Sequence, residues 1–150
     1  MDGLDRKILA VLQDDGRLSV TDLAGRVGLS VSPVHRRLRE LERSGVIRRY
    51  RAVVDPEAIG LSFEALVFAT MKRGDREILA EFEQATEAIP SILQAQRLFG
   101  EPDYLLRVVT TDQAAFQRLY DDRLTSLPGV LRLKSTLVMK QIVSDRPLPA

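Results

Sequence analysis

The side chains able to do chemistry are few in kind. His35 is the one histidine, and there is no cysteine. A Ser-His-Asp relay or a histidine-ligated metal would have to use His35. It stands in Val34-His35-Arg36-Arg37, where neighbouring cations disfavour the imidazolium that a catalytic base must form. The lack of cysteine removes disulfides, Cys-based zinc sites, iron–sulfur clusters and thiol nucleophiles. The adjacent pairs Asp14-Asp15 and Asp121-Asp122 do not converge on one helix face and read as solvated carboxylates. With no nucleophile, metal set or phosphate loop, neither an enzyme nor a cofactor is expected. What remains is arginine: Arg36, Arg37, Arg39, Arg43, Arg48, Arg49 and Arg51 crowd together against only Glu40 and Glu42. Arginine suits bidentate contact with phosphate or guanine. A charge run alone is more often a solvated helix face, so the elements that carry it must decide.

Those elements read as three helices. Leu4, Ile8, Leu9, Val11 and Leu12 keep helical spacing, and Asp14-Asp15-Gly16 ends the segment. Ser19, three residues before Asp22, opens a short second helix with Leu23, Ala24 and Val27 inward; Gly28 breaks it. Ser30 or Ser32 caps a third helix, with Pro33 in its first turn, running to about Arg43 before Gly45. On that helix Val34, Leu38 and Leu41 form the buried stripe. At about 100° per residue, Ser32, Arg36, Arg39 and Arg43 point the other way, His35 lies on the flank, and Arg37 lies nearer the core edge, where its stem can pack or pair with a carboxylate. Ala24, Gly28 and Val34 carry helix-turn-helix spacing. An exposed arginine face near a helix N-terminus is what insertion into a DNA major groove needs. Residues 46–54 are β-branched and alternating, and read as an exit strand or wing bringing Arg48, Arg49 and Arg51 near phosphates.

After a connector over 55–61, the pattern changes. Residues 63–71 form an apolar strand ended by Lys72-Arg73-Gly74. Ile78, Leu79, Phe82 and Ala85 keep helical spacing until Pro90. Strands over 92–99 and 104–110 flank the turn Gly100-Glu101-Pro102-Asp103, and Thr111 or Asp112 caps a helix with Phe116, Leu119, Tyr120 and Leu124. A last long strand spans 130–143. The order is βαββαβ, the ferredoxin-like plan. Both helices then cover one face of the sheet. Ala65, Val67 and Ala69 face one way, yet Leu66 and Phe68, also apolar, face the other. A second copy covering that open face, hence a homodimer, is expected.

Composition agrees. The chain has 150 residues, 45% hydrophobic and 29% charged, which suits two small folded domains, 1–54 and 62–150, in an α+β class. Net charge is only +1, but residues 1–54 carry 11 Lys and Arg against 7 Asp and Glu, while 55–150 carry 11 against 14. The two halves are thus +4 and −3, which suggests different partners. No apolar run approaches a membrane span, and residues 1–5 lack the basic-then-apolar pattern of a secretory signal, so a cytoplasmic, nucleoid-associated protein is expected.

Leu4-Asp5-Arg6-Lys7-Ile8-Leu9, Asp15-Gly16-Arg17, Leu23-Ala24, Val27-Gly28-Leu29-Ser30, Arg37-Leu38-Arg39-Glu40-Leu41-Glu42, Gly45-Val46-Ile47, Phe99-Gly100-Glu101-Pro102-Asp103-Tyr104 and Leu127-Pro128-Gly129-Val130 stand in one order. In that order they resemble the leucine-responsive and asparagine regulator (Lrp/AsnC, feast/famine) transcription factors, over nearly the whole chain. The resemblance implies a winged helix-turn-helix domain on double-stranded DNA, assembly to dimers and octamers, and an amino-acid or related effector in a cleft near a Gly-x-x-Asp loop. On this reading Ser32, His35, Arg36 and Arg39 reach bases or adjacent phosphates, and Arg43, Arg48, Arg49 and Arg51 touch backbone. Asp103 would receive the ammonium of an α-amino acid and N–H groups near Gly100 its carboxylate, with Glu101, Tyr104 and Thr136 as further pocket residues. The alternatives are that Gly100 and Asp103 only build a turn, and that the protein is a nucleoid-architectural DNA binder of low sequence preference without an effector. RNA binding is disfavoured, since the strands lack stacking aromatics.

Overall fold

A computed structural model describes residues 1–72 and 75–149. It divides into two compact units, Met1–Val53 joined by the described tail 142–149, and Val54–Gln141.

In the first unit, α1 (Gly3–Asp14), α2 (Val20–Val27) and α3 (Val31–Arg43) enclose one apolar core. Ile8, Leu23, Ala24, Val27, Val34 and Leu41 are buried, with Leu38 partly so. Burying such side chains is the main drive for the unit, about 1.5–3 kcal/mol for each large one. Caps set the helix starts. Asp2 caps α1 in a reciprocal box with Asp5. The Ser19 hydroxyl accepts from the Asp22 N–H (3.1 Å) and donates to the Asp22 carboxylate (2.6 Å) at α2. Ser30 occupies the cap position of α3 but makes no capping bond with its side chain. Gly28 closes α2 in the left-handed region (φ 75°), a conformation that a side chain would oppose, and so permits the tight turn into α3.

Residues 46–54 depart from expectation. They form no strand among the described residues, because no neighbouring strand in the chain offers them a ladder, and β-branched composition alone makes none. Tyr50 instead ties the segment back. Its hydroxyl donates to Glu42 on α3 (3.1 Å), and its ring packs at Gly16. The tail also lies with this unit. The Gln13 side-chain amide accepts from the Leu148 N–H (2.7 Å) and donates to the Leu148 carbonyl (3.1 Å), and Asp145 stands 3.8 Å from Arg51.

The second unit is a four-stranded antiparallel sheet of order β2-β3-β1-β4. The strands are β1 (Phe63–Met71), β2 (Ile92–Arg97), β3 (Tyr104–Thr110) and β4 (Val130–Leu137), with α4 (Arg76–Glu87) after β1 and α5 (Gln113–Leu119) after β3. One π-helical turn, Tyr120–Leu124, prolongs α5. This is the ferredoxin-like βαββαβ plan. Arg73 and Gly74, expected to end β1, lie outside the described residues. β1 alternates: Ala65, Val67, Ala69 and Met71 are buried with Phe82, Leu106, Val108 and Leu124 beneath the helices, while Leu66, Phe68 and Thr70 line the open face. β4 stops at Leu137 rather than running to 143. Leu137 pairs with Ala65 near the beginning of β1, so only one bond, Val138 N–H to the Glu64 carbonyl (3.1 Å), extends the ladder. β2 likewise ends at Arg97, opposite Tyr104 at the start of β3, not at 99.

Candidate nucleic-acid and ligand sites

α3 presents its arginines as the helical period requires. Ser32, His35, Arg36, Arg39 and Arg43 are all exposed, opposite Val34 and Leu41. They are not equally disposed. Arg39 Nε donates to His35 Nε2 across one turn in a long bond of 3.4 Å. Arg43 grips Glu40 in a fork, with Nε to Oε2 at 3.1 Å and Nη2 to both oxygens at 2.8 and 2.9 Å. Arg37 is turned away. Its Nη1 donates to Asp2 Oδ2 and Asp5 Oδ1, both at 2.8 Å, as its position at the core edge suggested. Hydrogen bonds within the α1 cap, joined by the Arg37 bonds, hold both carboxyl groups below the ordinary aspartate range. Arg48, Arg49 and Arg51 are exposed on the extended segment after Gly45. Tyr50 between them is exposed over about half its surface, yet the desolvation of its covered side and the bond to Glu42 push its hydroxyl up to about 12. The first unit therefore brings the predicted DNA-facing side chains to its surface on one helix and the segment that follows it.

In the second unit the predicted ligand residues separate. An open depression of about 620 Å³ lies among Phe68, Thr70, Glu101, Pro102, Arg132, Leu133 and Lys134. Glu101 belongs to it, and exposed Gly100 precedes it in the loop. Asp103 is engaged in holding the loop. Its Oδ2 accepts from the Met71 N–H (2.7 Å), its own N–H donates to the Ala69 carbonyl (3.0 Å), and its carbonyl accepts from the Leu98 N–H (2.7 Å). Tyr104 is corrected to the core. Strand alternation points it under the helices, where its ring lies 4.5 Å from that of Phe82 and its hydroxyl donates to Glu83 (2.7 Å), away from the open face. Thr136 pairs with Leu66 on the open face but lies beyond the depression. Arg132 and Lys134 were not singled out from the sequence. Their signal was the period-two spacing Arg132-x-Lys134-x-Thr136, which places all three on one face of a strand. The same face carries the bidentate pair Arg107–Glu64 (2.8 Å for each bond), joined by Gln141 (2.8 Å).

Among the described residues, no cluster of His, Cys, Asp and Glu could hold a metal ion, and no helix is long and apolar enough to cross a membrane.

Comparison with known proteins places both units. Residues 1–48 match a winged helix-turn-helix DNA-binding model, and residues 64–148 match the Lrp/AsnC ligand-binding domain. The chain is 38% identical to the Bkd operon transcriptional regulator of Pseudomonas aeruginosa, over 95% of this chain and 94% of that protein. It is 36% identical to the leucine-responsive regulatory protein of Escherichia coli, over 99% and 90%. A transcriptional regulator of Neisseria meningitidis solved as an L-Met complex superposes with a TM-score of 0.94 at 38% identity, covering 99% of this chain and 96% of that one. An AsnC family regulator of Agrobacterium tumefaciens gives the same TM-score and identity, covering 99% and 97%. The chain therefore belongs to the Lrp/AsnC family: it is a DNA-binding transcriptional regulator made of a winged helix-turn-helix domain and an Lrp/AsnC ligand-binding domain.

Proposed function

We propose that the protein reads specific operator sequences through α3 as a homodimer, and that an α-amino acid bound at the second unit alters its assembly or DNA affinity. The observation that carries this reading is the exposed Ser32, His35, Arg36, Arg39 and Arg43 face of α3, set opposite its core stripe. Arg36 and Arg39 reach guanine edges; Arg43, Arg48, Arg49 and Arg51 contact phosphates and fix register. The half-exposed apolar residues Leu66 and Phe68 support pairing of two copies through the open sheet face, with octamers as further assembly. Dimers require pseudo-palindromic sites with half-sites spaced by a helical turn or a multiple. The protein acts in the cytoplasm, on the nucleoid.

For the effector, Arg132 and Lys134 receive the carboxylate, Glu101 the ammonium, and Phe68 and Pro102 the side chain. The N. meningitidis relative, solved with L-Met, makes apolar amino acids the first candidates. Asp103 acts by holding the loop, so Asp103→Ala would disturb the site even without a ligand contact.

In-vitro selection of bound duplexes, with and without a panel of amino acids, tests the whole reading. The expected result is one enriched pseudo-palindrome, a response to at least one amino acid, and loss of that response in Lys134→Ala. Equal affinity for selected and random DNA would favour the architectural alternative and refute sequence reading. A stabilising amino acid unaffected by Lys134→Ala and Arg132→Ala would place the effector elsewhere.

A further inference from the structure

Arg37 stands between Arg36 and Leu38 in the arginine-rich run, yet the structure gives it different work. Each of the two carboxylates it meets has its oxygens divided. Asp2 Oδ1 accepts from the N–H groups of Leu4 and Asp5 (3.0 Å each), leaving Oδ2 for Arg37. Asp5 Oδ2 accepts from the Asp2 N–H (2.8 Å), leaving Oδ1 for Arg37. The cap of α1 and the arginine of α3 are therefore one closed network with both carboxylates spoken for. Its anchor is local and stiff, because Asp2 and Asp5 are themselves fixed by backbone donors.

The rotation of α3 about its own axis needs such an anchor. Along that helix Val34 and Leu41 are buried, with Pro33, Leu38 and Glu42 partly so. Val34, Leu38 and Leu41 lie on one narrow stripe, and besides the Arg37 bonds a side-chain tie from outside reaches the helix near its end, from the Tyr50 hydroxyl to Glu42. A stripe of pegs resists translation better than rolling. The reading face lies on the far side, so its side chains sweep the largest arc when the helix rolls. A roll of about 20° swings a tip roughly 6 Å from the axis by about 2 Å. That displacement takes a donor out of the 2.7–3.2 Å window of a base contact. Phosphate contacts by flexible arginines on the following segment tolerate it.

We propose that Arg37 is a positioning residue for DNA specificity: by bonding Asp2 and Asp5 with one nitrogen it fixes the roll of the recognition helix, so that discrimination between sequences depends on it while general DNA affinity does not. The inference rests on the reading of α3 as the recognition helix. The substitutions are Arg37→Met, Asp5→Asn and the double variant, in the full-length protein. Asp5→Asn is the milder of the two and serves if Arg37→Met fails to fold. Each is assayed by anisotropy for affinity to a duplex selected by the wild type and to a random duplex of equal length, over a series of salt concentrations. The expected result is a loss of about ten-fold in the ratio of the two affinities for each single variant. The double variant should lose no more than either, since both cut the same network. Random-duplex affinity of Arg37→Met should stay near wild type, with its salt slope unchanged. Equal loss on both duplexes with a slope flattened by about 0.9 per protomer would make Arg37 an ordinary phosphate contact and overturn the proposal. A lowered melting temperature with the ratio intact would make the network merely structural and also overturn it. So would Asp5→Asn binding both duplexes more tightly by the same factor. A wild type that itself does not discriminate would instead sink the reading of α3, a distinguishable failure.

Discussion

Glu40 sits on the face of α3 proposed to read DNA and holds Arg43 in a fork of three bonds between 2.8 and 3.1 Å. If Arg43 meets a phosphate, the pair must open as DNA binds, and Glu40 is left facing the backbone. Glu40→Gln removes both obstacles while keeping the side chain's length. Both partners are well exposed, 77% for Arg43 and 60% for Glu40, so opening the pair costs little, about 0.5 kcal/mol within the range for surface pairs. Two protomers of the proposed dimer give about 1 kcal/mol, or roughly five-fold tighter binding. The salt dependence is the sharper measure. With Arg43 on a phosphate in both proteins, Glu40→Gln should leave the slope of log affinity against log salt near wild type, whereas removing the Arg43 contact flattens it by about 0.9 per protomer, or about 1.8 for the proposed dimer. Anisotropy titrations of wild type and Glu40→Gln across a range of salt read both quantities. The combined variant Glu40→Gln with Arg43→Ala should lose the gain in affinity and flatten the slope by that amount. If Glu40→Gln leaves affinity unchanged and the added Arg43→Ala leaves the slope unchanged, Arg43 does not reach phosphate and the backbone role assigned to it is wrong. If it weakens one duplex and not another, Glu40 reads a base, an equally decisive refutation.

Arg36→Ala should cost about 1–3 kcal/mol and relax preference at one position of the selected site, whereas Arg48→Ala should weaken every duplex alike; mutated-site titrations separate the two. Gly129→Ala should destabilise the second unit severely. Gly129 has φ 70°, worth about 1–2 kcal/mol against a side chain, and an added Cβ would collide with Ile78 Cγ2, where overpacking adds about 1–3 kcal/mol. Urea unfolding with no shift in midpoint would contradict this. Acid should weaken both units. Arg107 holds Glu64 below its ordinary 4.5, and the α1 cap with Arg37 holds Asp2 and Asp5 below 3.8. A depressed folded-state value means stability is fully present above those ordinary values and is lost as pH falls through the lowered ones. Urea midpoints taken from pH 7 downward should fall below about pH 4.5, less steeply in Arg107→Gln.

What could be read from the sequence follows the strength of local periodicity. The three-helix core was legible because Ile8, Leu23, Val27, Val34 and Leu41 repeat at helical spacing, and β1 and β3 because each is a short apolar run bounded by turn residues. Strand ends were not legible, since a strand lasts only as long as its neighbour. β4 stops where β1 begins, and 46–54 finds no neighbour at all. The exposed face of α3 follows from the angle between residues. Its partners do not: Asp2 and Asp5 meet Arg37 across more than thirty residues, a separation that no local pattern encodes. The loop at 100–103 stands out in the sequence by its Gly and Asp, but which side chains border the depression beside it depends on strand alternation. That rule sends Tyr104 inward and brings Arg132 and Lys134 to the other face.

The clasp between Gln13 and Leu148 bears on the order in which the chain assembles. The three helices close over short connections, and synthesis releases them first. The amide of Gln13 must wait for a partner 135 residues downstream. Loop closure grows costlier with length, so this fastening forms after the short-range contacts of the three helices. The helices fold early, and Leu148 clasps them once the sheet encoded between has been made.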